Sequence, residues 1–439
     1  MIPFLALSSL AIAAEVPNPV SQGHEDPFIR VRVIEQADSV LVRGYDVRAF
    51  SWSPPKTDLE KPKQAVSASP TPSLLVSLDR TSQWEIHCKP GEVTLQPKGK
   101  SHGVHVSKVI FARSPVSLQA QGGFITLGNI PYRDSLFVYS KGKSGCEVVN
   151  LVSLEKYLDG LVNSEFSSKW NDESISAQVV AARTYAYFQM LDARTRGSHF
   201  DLDATTRDQV YNGSMKEDFR ASAVVQKSRG MVLSVADAPE AIKPIKAFYH
   251  STCGGHTELP EHVWGVKYSG VSQATSCAYC QSSPRYQWDL DAKKSEIQSE
   301  LLKGALDYLR KGLQLPKEWP GMWEEALRQG TLLDLRLGAL DPENRVSKIT
   351  VVISSGRELF ELPMRSALFR EWMGPTRFRS TAFDVYTNSN GTVYHFSGRG
   401  NGHGVGMCQW GAKVMGEKGK KTAEILKLYY PGAFLRRAW

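Results

Sequence analysis

At 439 residues, with 41% hydrophobic and 22% charged positions, the chain has the make-up of a folded protein long enough for two domains or more. Its net charge of +8 suits an anionic polymer, and cell wall, nucleic acid and membrane surface all qualify, although solubility alone would explain a charge of this size. No basic run is interleaved with aromatics, so nucleic acid fits worst, and no segment after the first residues stays apolar for about 18 positions, so no transmembrane segment is expected.

The residues from Met1 to Ala14 are almost wholly apolar and end in Ala11-Ile12-Ala13-Ala14. They read as a secretory signal peptide over 1–14 that lacks the usual basic n-region. The expectation is an exported protein of the periplasm or cell envelope. No cysteine lies near the cleavage point, which argues against a lipoprotein anchor.

Strand-like alternation runs from Phe28 to Phe50, where Val31 and Val33 and then Val40 and Val42 keep a period of two. Residues 51–73 carry five prolines among lysines, serines and threonines and read as an insertion or long exposed loop. Short β-branched runs then alternate with glycine and asparagine turns: Leu74–Leu78, Val104–Val106, Phe124–Leu127 and Leu136–Tyr139. Residues 26–149 are therefore expected to form a β-rich N-terminal region.

At Asn150 the pattern changes. Leu154, Tyr157, Leu158 and Leu161 share a helix face, and a second helix is expected from about Asp172 to Leu191. Ile175, Val179, Ala182 and Ala186 form its apolar stripe, with Asn171 or Asp172 as the cap. Residues 292–330 read as a helical insertion with Ile297, Leu301, Leu302, Ala305 and Leu309 on one face. Strands follow at Leu332–Leu340 and Val346–Ile353, joined by Asp341-Pro342-Glu343-Asn344. A last helix runs from Thr422 to Tyr430. The fold class expected is α+β, a mixed helical and β region over 150–439 around a cleft, behind the β-rich domain.

Three segments carry chemistry. In the first, Glu165 closes an apolar stretch, Leu161-Val162-Asn163-Ser164-Glu165-Phe166. A glutamate at a buried rim is held protonated by desolvation and can donate to a glycosidic oxygen. Phe166 and Trp170 offer an apolar wall and a stacking face for a sugar. Without other information a surface glutamate near a helix end is the commoner meaning. Arg183 and Tyr185 follow in Ala181-Ala182-Arg183-Thr184-Tyr185. Arg183 can orient a carboxylate or bind substrate, or simply hold two helices in an ion pair.

In the second segment, His250-Ser251-Thr252-Cys253-Gly254-Gly255-His256-Thr257, His250 and Cys253 stand three apart, as do Cys277 and Cys280 further on. Two such pairs match a four-coordinate zinc site, with His256 a fifth candidate. A Cys277–Cys280 disulfide is the competing assignment, since Cys88, Cys146 and Cys408 complete a set of six cysteines in a chain expected to be exported. Four protein ligands would make the zinc structural. Ser251 and Thr252 can bind sugar hydroxyls or cap local backbone. In the third segment, Gly398 to Gly406 places five glycines at alternate positions, with His403 inside and Gln409 and Gly411 just after. Such a loop lets a ligand approach the backbone; a plain turn between strands is the alternative.

Together these segments resemble the stage II sporulation protein D family, also described as amidase-enhancer-like, whose sporulation members are peptidoglycan lytic transglycosylases. The resemblance spans roughly Glu147 to Pro431. It implies Glu165 as the single catalytic acid and base acting on glycan strands, with Arg183, Tyr185, Ser251, Thr252, His403 and Gln409 facing the cleft and zinc at the His250–Cys280 cluster. It also admits a non-catalytic wall-binding protein that enhances a separate amidase. Two positions depart from the family: Ser176 stands where relatives have lysine, and Cys408 where they have serine. The second implies that serine would serve at 408. A peptidase using Cys408 with His403 as base is a third alternative.

Overall fold

The computed structural model describes residues 26–52, 72–78, 83–98, 109–143, 145–235 and 242–439. The signal peptide expected at 1–14, most of the proline-rich insertion and the expected strand at 104–106 lie outside these. The described chain is α+β, and it divides into two compact units. The first takes the chain from residue 26 through Ser168, then Ala186–Gly230 and Trp439; the second takes Lys169–Tyr185 and Met231–Ala438.

The first unit is built on an antiparallel sheet that also gains one short parallel strand, Leu202–Asp203, beside Phe28–Ala37. From there the order runs Cys146–Ser153, Ile130–Ser140, Val116–Leu127, Ser39–Gly44, Gln83–Lys89, Glu92–Lys98 and Ile110–Arg113. Alternation puts one set of side chains inside: Ile29 and Val31, Trp84 and Ile86, Val93 and Leu95 are all at most 1% exposed. A disulfide joins Cys88 to Cys146, across three intervening strands in the sheet order. A flat sheet would keep those strands about 19 Å apart, so the sheet must curl back on itself. The compositional change at Asn150 coincides with the last long strand of this sheet, and the unit continues into helix α1 (Leu154–Glu165).

Helix α2 (Asp172–Thr195) begins in the second unit and continues into the first. Asn171 starts it, its Oδ1 accepting from the Glu173 N–H at 2.9 Å. Helix α3 (Phe219–Lys227) is capped by Asp218, which accepts from the Ala221 N–H at 2.8 Å.

The second unit has two apolar cores. One gathers Ala177, Val180, Ala181 and Tyr185 from α2 with Val405, Met407, Cys408 and the helices α8 (Gln409–Glu417) and α9 (Thr422–Tyr429). The other lies between two three-stranded antiparallel sheets and the helices α5 (Lys294–Arg310), α6 (Trp323–Gln329) and α7 (Ser366–Trp372). A short helix α4 (Pro260–Trp264) precedes these. Ile297, Leu301 and Ala305 are buried as the sequence predicts, whereas Leu309, in the last turn of α5, is 46% exposed.

Candidate functional site

Glu165 is the last residue of α1, and it is half-buried. Its surroundings are set by a strap, Gln209–Ser214, laid along the helix. Tyr157 donates to Gln209 Oε1 at 2.9 Å, the Val210 N–H donates to Glu165 Oε1, and Asn212 donates to Ser164 Oγ at 3.3 Å. The strap lies so close that a Cβ on Gly160 would meet the Gly213 carbonyl oxygen at 2.1 Å. Beyond Glu165, Asn163 Oδ1 accepts from the Ser168 N–H at 2.9 Å and Ser168 Oγ donates to Asp218 at 2.6 Å, turning the chain sharply away from the helix. Burial pushes the Glu165 carboxyl up to about 7, against the opposing Val210 N–H. Position adds to this, since α1 has no basic residue in its last turn and its negative dipole end disfavours a carboxylate there. Sequence reasoning missed the strap, because nothing in Gln209–Ser214 has a periodicity or motif to mark it.

Glu165 belongs to the first unit, and Arg183, Tyr185, Ser251, Thr252, His403 and Gln409 belong to the second. Within the second unit the two loops meet: Tyr249–His250 pairs in parallel with Met407–Cys408, and Thr252 bridges Asn401. The individual side chains divide. Arg183 is 0% exposed and donates to the Met231 carbonyl at 3.2 Å, so it anchors a strand start rather than presenting a guanidinium to ligand. Thr252, at 1% exposed, is hydrogen-bonded to Ser283 Oγ at 2.8 Å, whereas Ser251 is half-buried and retains open surface. Tyr185 and Gln409 are 7% and 8% exposed.

His403 accepts from the Val405 N–H at its Nδ1 (3.1 Å) and donates from Nε2 to the Tyr249 carbonyl (3.0 Å). Both nitrogens are committed to backbone, and burial with His250 nearby holds the imidazole far below its usual pKa. A ring in that state is no general base. Cys408 is fully buried and its Sγ accepts from the Cys253 and Gly411 N–H groups, both at 3.3 Å. This removes the cysteine-peptidase assignment on access as well as on basicity.

The same sulfur corrects the expected ligand set. Cys253, Cys277, Cys280 and Cys408 each bring Sγ to within 4.8 Å of the other three, all four are buried, and none is in a disulfide. His250 is not among them. Its Nδ1 faces the Val405 carbonyl at 3.1 Å, and its buried Nε2 has no hydrogen-bond partner among the described residues. His256 likewise turns to the Thr257 carbonyl. The physical reason is the parallel pairing of His250 with Cys408, which carries a residue 128 positions beyond Cys280 into the fourth corner. Tetrahedral thiolates about 2.3 Å from zinc sit about 3.8 Å apart, and Cys253 and Cys280 are 3.4 Å apart. Tyr429 OH, 3.2 Å from Cys277 Sγ, and the two N–H donors on Cys408 are the kind of outer partners that steady metal-bound thiolates. The donor set fits a closed structural zinc.

Aromatic surface that the sequence did not single out lies beside the glycine loop. Trp264, 36% exposed, stacks on Phe248 with ring centroids 4.6 Å apart and reaches His403 at 5.1 Å. Trp170 meets Trp410 edge to face at 5.8 Å in the same unit. Isolated tryptophans and phenylalanines give no sequence signal until the fold collects them.

Residues 142–234 match the family model described as Stage II sporulation protein. The chain is 30% identical over 304 residues to Stage II sporulation protein D of Bacillus amyloliquefaciens, covering 66% of this chain and 76% of that one. It is 30% identical over 333 residues to an uncharacterised protein of Brachyspira hyodysenteriae, covering 75% and 78%. Similarity to the Amidase enhancer of Bacillus subtilis is 27% over 303 residues, 63% of this chain and 40% of that protein. The chain belongs to the stage II sporulation protein D family.

Proposed function

We propose that this protein is an exported peptidoglycan lytic transglycosylase in which Glu165 alone serves as acid and then base. The observation that carries this reading is the carboxyl of Glu165, half-buried, held by the Val210 N–H and pushed up to about 7, so that the acid form is available near neutral pH. Protonated Glu165 donates to the glycosidic oxygen as the C1–O bond breaks. The substrate's own C6 hydroxyl then bonds to C1 and returns its proton to Glu165. The strand ends as a 1,6-anhydromuramyl residue, and no water is consumed. A hydrolase would need a second carboxylate as base or nucleophile, which this scheme does not call on.

Zinc held by Cys253, Cys277, Cys280 and Cys408 would supply no chemistry of its own; it would pin the Ser251–Thr252 segment against the glycine loop. Export is supported by the Cys88–Cys146 disulfide, which belongs in an oxidising compartment. Four neighbouring thiols would not stay reduced there unless a metal protected them. No described helix is long and apolar enough to cross a membrane.

Incubating the protein with purified glycan strands and weighing the products tests the proposal: anhydro ends are expected, and intact strands would reject it. The second reading, a non-catalytic partner of a cell-wall amidase, is favoured by the name of the Bacillus subtilis relative. In that case strands stay intact while the cleavage rate of an added amidase rises.

A further inference from the structure

A second polar cluster lies in the second unit, with no sulfur in it. Glu258, His262, Asp341 and Glu343 each bring a ligand atom to within 4.8 Å of the other three. His262 lies in α4, and Glu258 immediately precedes the Leu259 that caps it. Asp341 and Glu343 come from the turn that joins two strands, where Asp341 Oδ1 accepts from the N–H groups of Glu343 and Arg345 at 3.0 and 2.9 Å. His262 Nδ1 is the hub, at 2.8 Å from Glu258 Oε1, 3.7 Å from Glu343 Oε2 and 3.8 Å from Asp341 Oδ2.

The carboxylate side chains are 2%, 5% and 9% exposed for Glu258, Asp341 and Glu343, so ionising all three there would be costly without a cation. Arg345 Nε, 3.8 Å from Glu258 Oε2, supplies one positive charge, but its Nη2 is already donated to the carbonyls of Cys253 (2.6 Å) and His256 (3.1 Å). A second observation points to a ligand. Glu343 Oε2 is wholly buried, turned toward the imidazole, and has no hydrogen-bond partner among the described residues.

We propose that Glu258, His262, Asp341 and Glu343 form a divalent-cation site, with manganese(II) the ion matched to three carboxylate oxygens and one imidazole nitrogen. A divalent ion and the Arg345 guanidinium together balance the three carboxylates, with His262 neutral as a ligand. Ligands about 2.2 Å from one ion lie about 3–4.4 Å apart, so the cluster needs to contract by only a few tenths of an ångström. His262, 31% exposed, leaves a way in. The ion would tie α4 to the Asp341–Arg345 turn. Because Glu258 N–H donates to the Gly404 carbonyl at 2.8 Å, it would also brace the glycine loop.

Manganese disfavours an all-thiolate site, so it reads this cluster without interference from the other. Protein gel-filtered into metal-free buffer without a chelator, so that the cysteine group keeps any zinc it holds, should take up about one manganese(II) per chain, followed by the electron paramagnetic resonance signal of the free ion. Glu343→Gln and Asp341→Asn should each weaken uptake by about tenfold or more, and the rise in melting temperature on adding manganese should disappear with them. If either variant fails to fold by circular dichroism, His262→Ala replaces it. No uptake by the wild-type protein at sub-millimolar manganese overturns the site, and so does uptake that the folded variants leave unchanged.

Discussion

Glu165 combines a helix C-terminus, partial burial and the Val210 backbone donor, and its pKa of about 7 would tie the proposed activity to pH. In the proposed scheme the acid form starts the reaction, so kcat/KM on glycan strands should fall as pH rises through about 7. Glu165→Gln keeps the acceptor for Val210 but has no proton to give, and turnover should drop by about 10²–10⁴-fold; activity within a few fold of wild type would remove Glu165 from the mechanism. The sign for stability follows. The folded-state pKa is raised above that of the unfolded chain, so stability is greatest at low pH and is lost as pH rises toward and through about 7. Glu165→Gln should therefore gain on wild type above pH 7 by the order of 1–2 kcal/mol after allowance for partial exposure, with the gap closing toward pH 4, as urea titrations at both pH values will measure.

Cys408 is the residue at which position overrides kinship. Relatives' serine suggests an easy exchange, but the sulfur sits with three other thiols and accepts two N–H bonds. Cys408→Ser should lose bound zinc and melt several degrees lower, read by metal analysis and calorimetry. Zinc retained at one per chain would exclude Cys408 as a ligand. Trp264→Ala, which removes a partly exposed ring stacked on Phe248, should weaken strand binding several-fold while leaving the melting temperature within about 2 °C; a co-sedimentation assay with insoluble wall decides it.

At the scale of elements, the glycine loop works as a spacer between layers. Gly406 has φ +71°, and a Cβ there would lie 2.0 Å from the Phe248 carbonyl oxygen. Its absence lets Met407–Cys408 pair with Tyr249–His250 and so delivers Cys408 to the cysteine group. Gly406→Ala should cost about 2–5 kcal/mol, combining a left-handed backbone with a steric overlap, and should lower zinc affinity as well. Unfolding monitored in the presence and absence of a chelator separates the two effects. The strap Gln209–Ser214 does for Glu165 what the glycines do for Cys408. Backbone groups hold the functional side chain, so neither arrangement has a side-chain signature.

The whole molecule divides its cysteines by chemistry: a disulfide in the first unit and reduced thiols in the second. A reductant should therefore destabilise the first unit, by about 2–4 kcal/mol for a cross-link of this kind, while a zinc chelator destabilises the second. Hydrogen exchange resolved by peptide should show deprotection of the strands at Gln83–Lys89 and Cys146–Ser153 with reductant, and of Tyr249–Cys253 and Met407–Gln409 with chelator. Deprotection of both regions by either reagent alone would contradict the division.

The sequence by itself determined the elements whose signal is local. Period-two runs marked the strands of the first unit, and helical spacing marked α2, α5 and α9, because burial of one face leaves a periodic trace. Three motifs in order marked the family. What the sequence could not determine was which side chains meet. His250 was expected among the ligands on spacing, yet parallel pairing with a residue 158 positions away in sequence brings Cys408 to that corner. Arg183 has the chemistry of a substrate contact, but the core of the second unit encloses it. Local pattern reports how much of a side chain is buried; its partners are chosen by strand register and close backbone approach, and these exist only once the chain has folded.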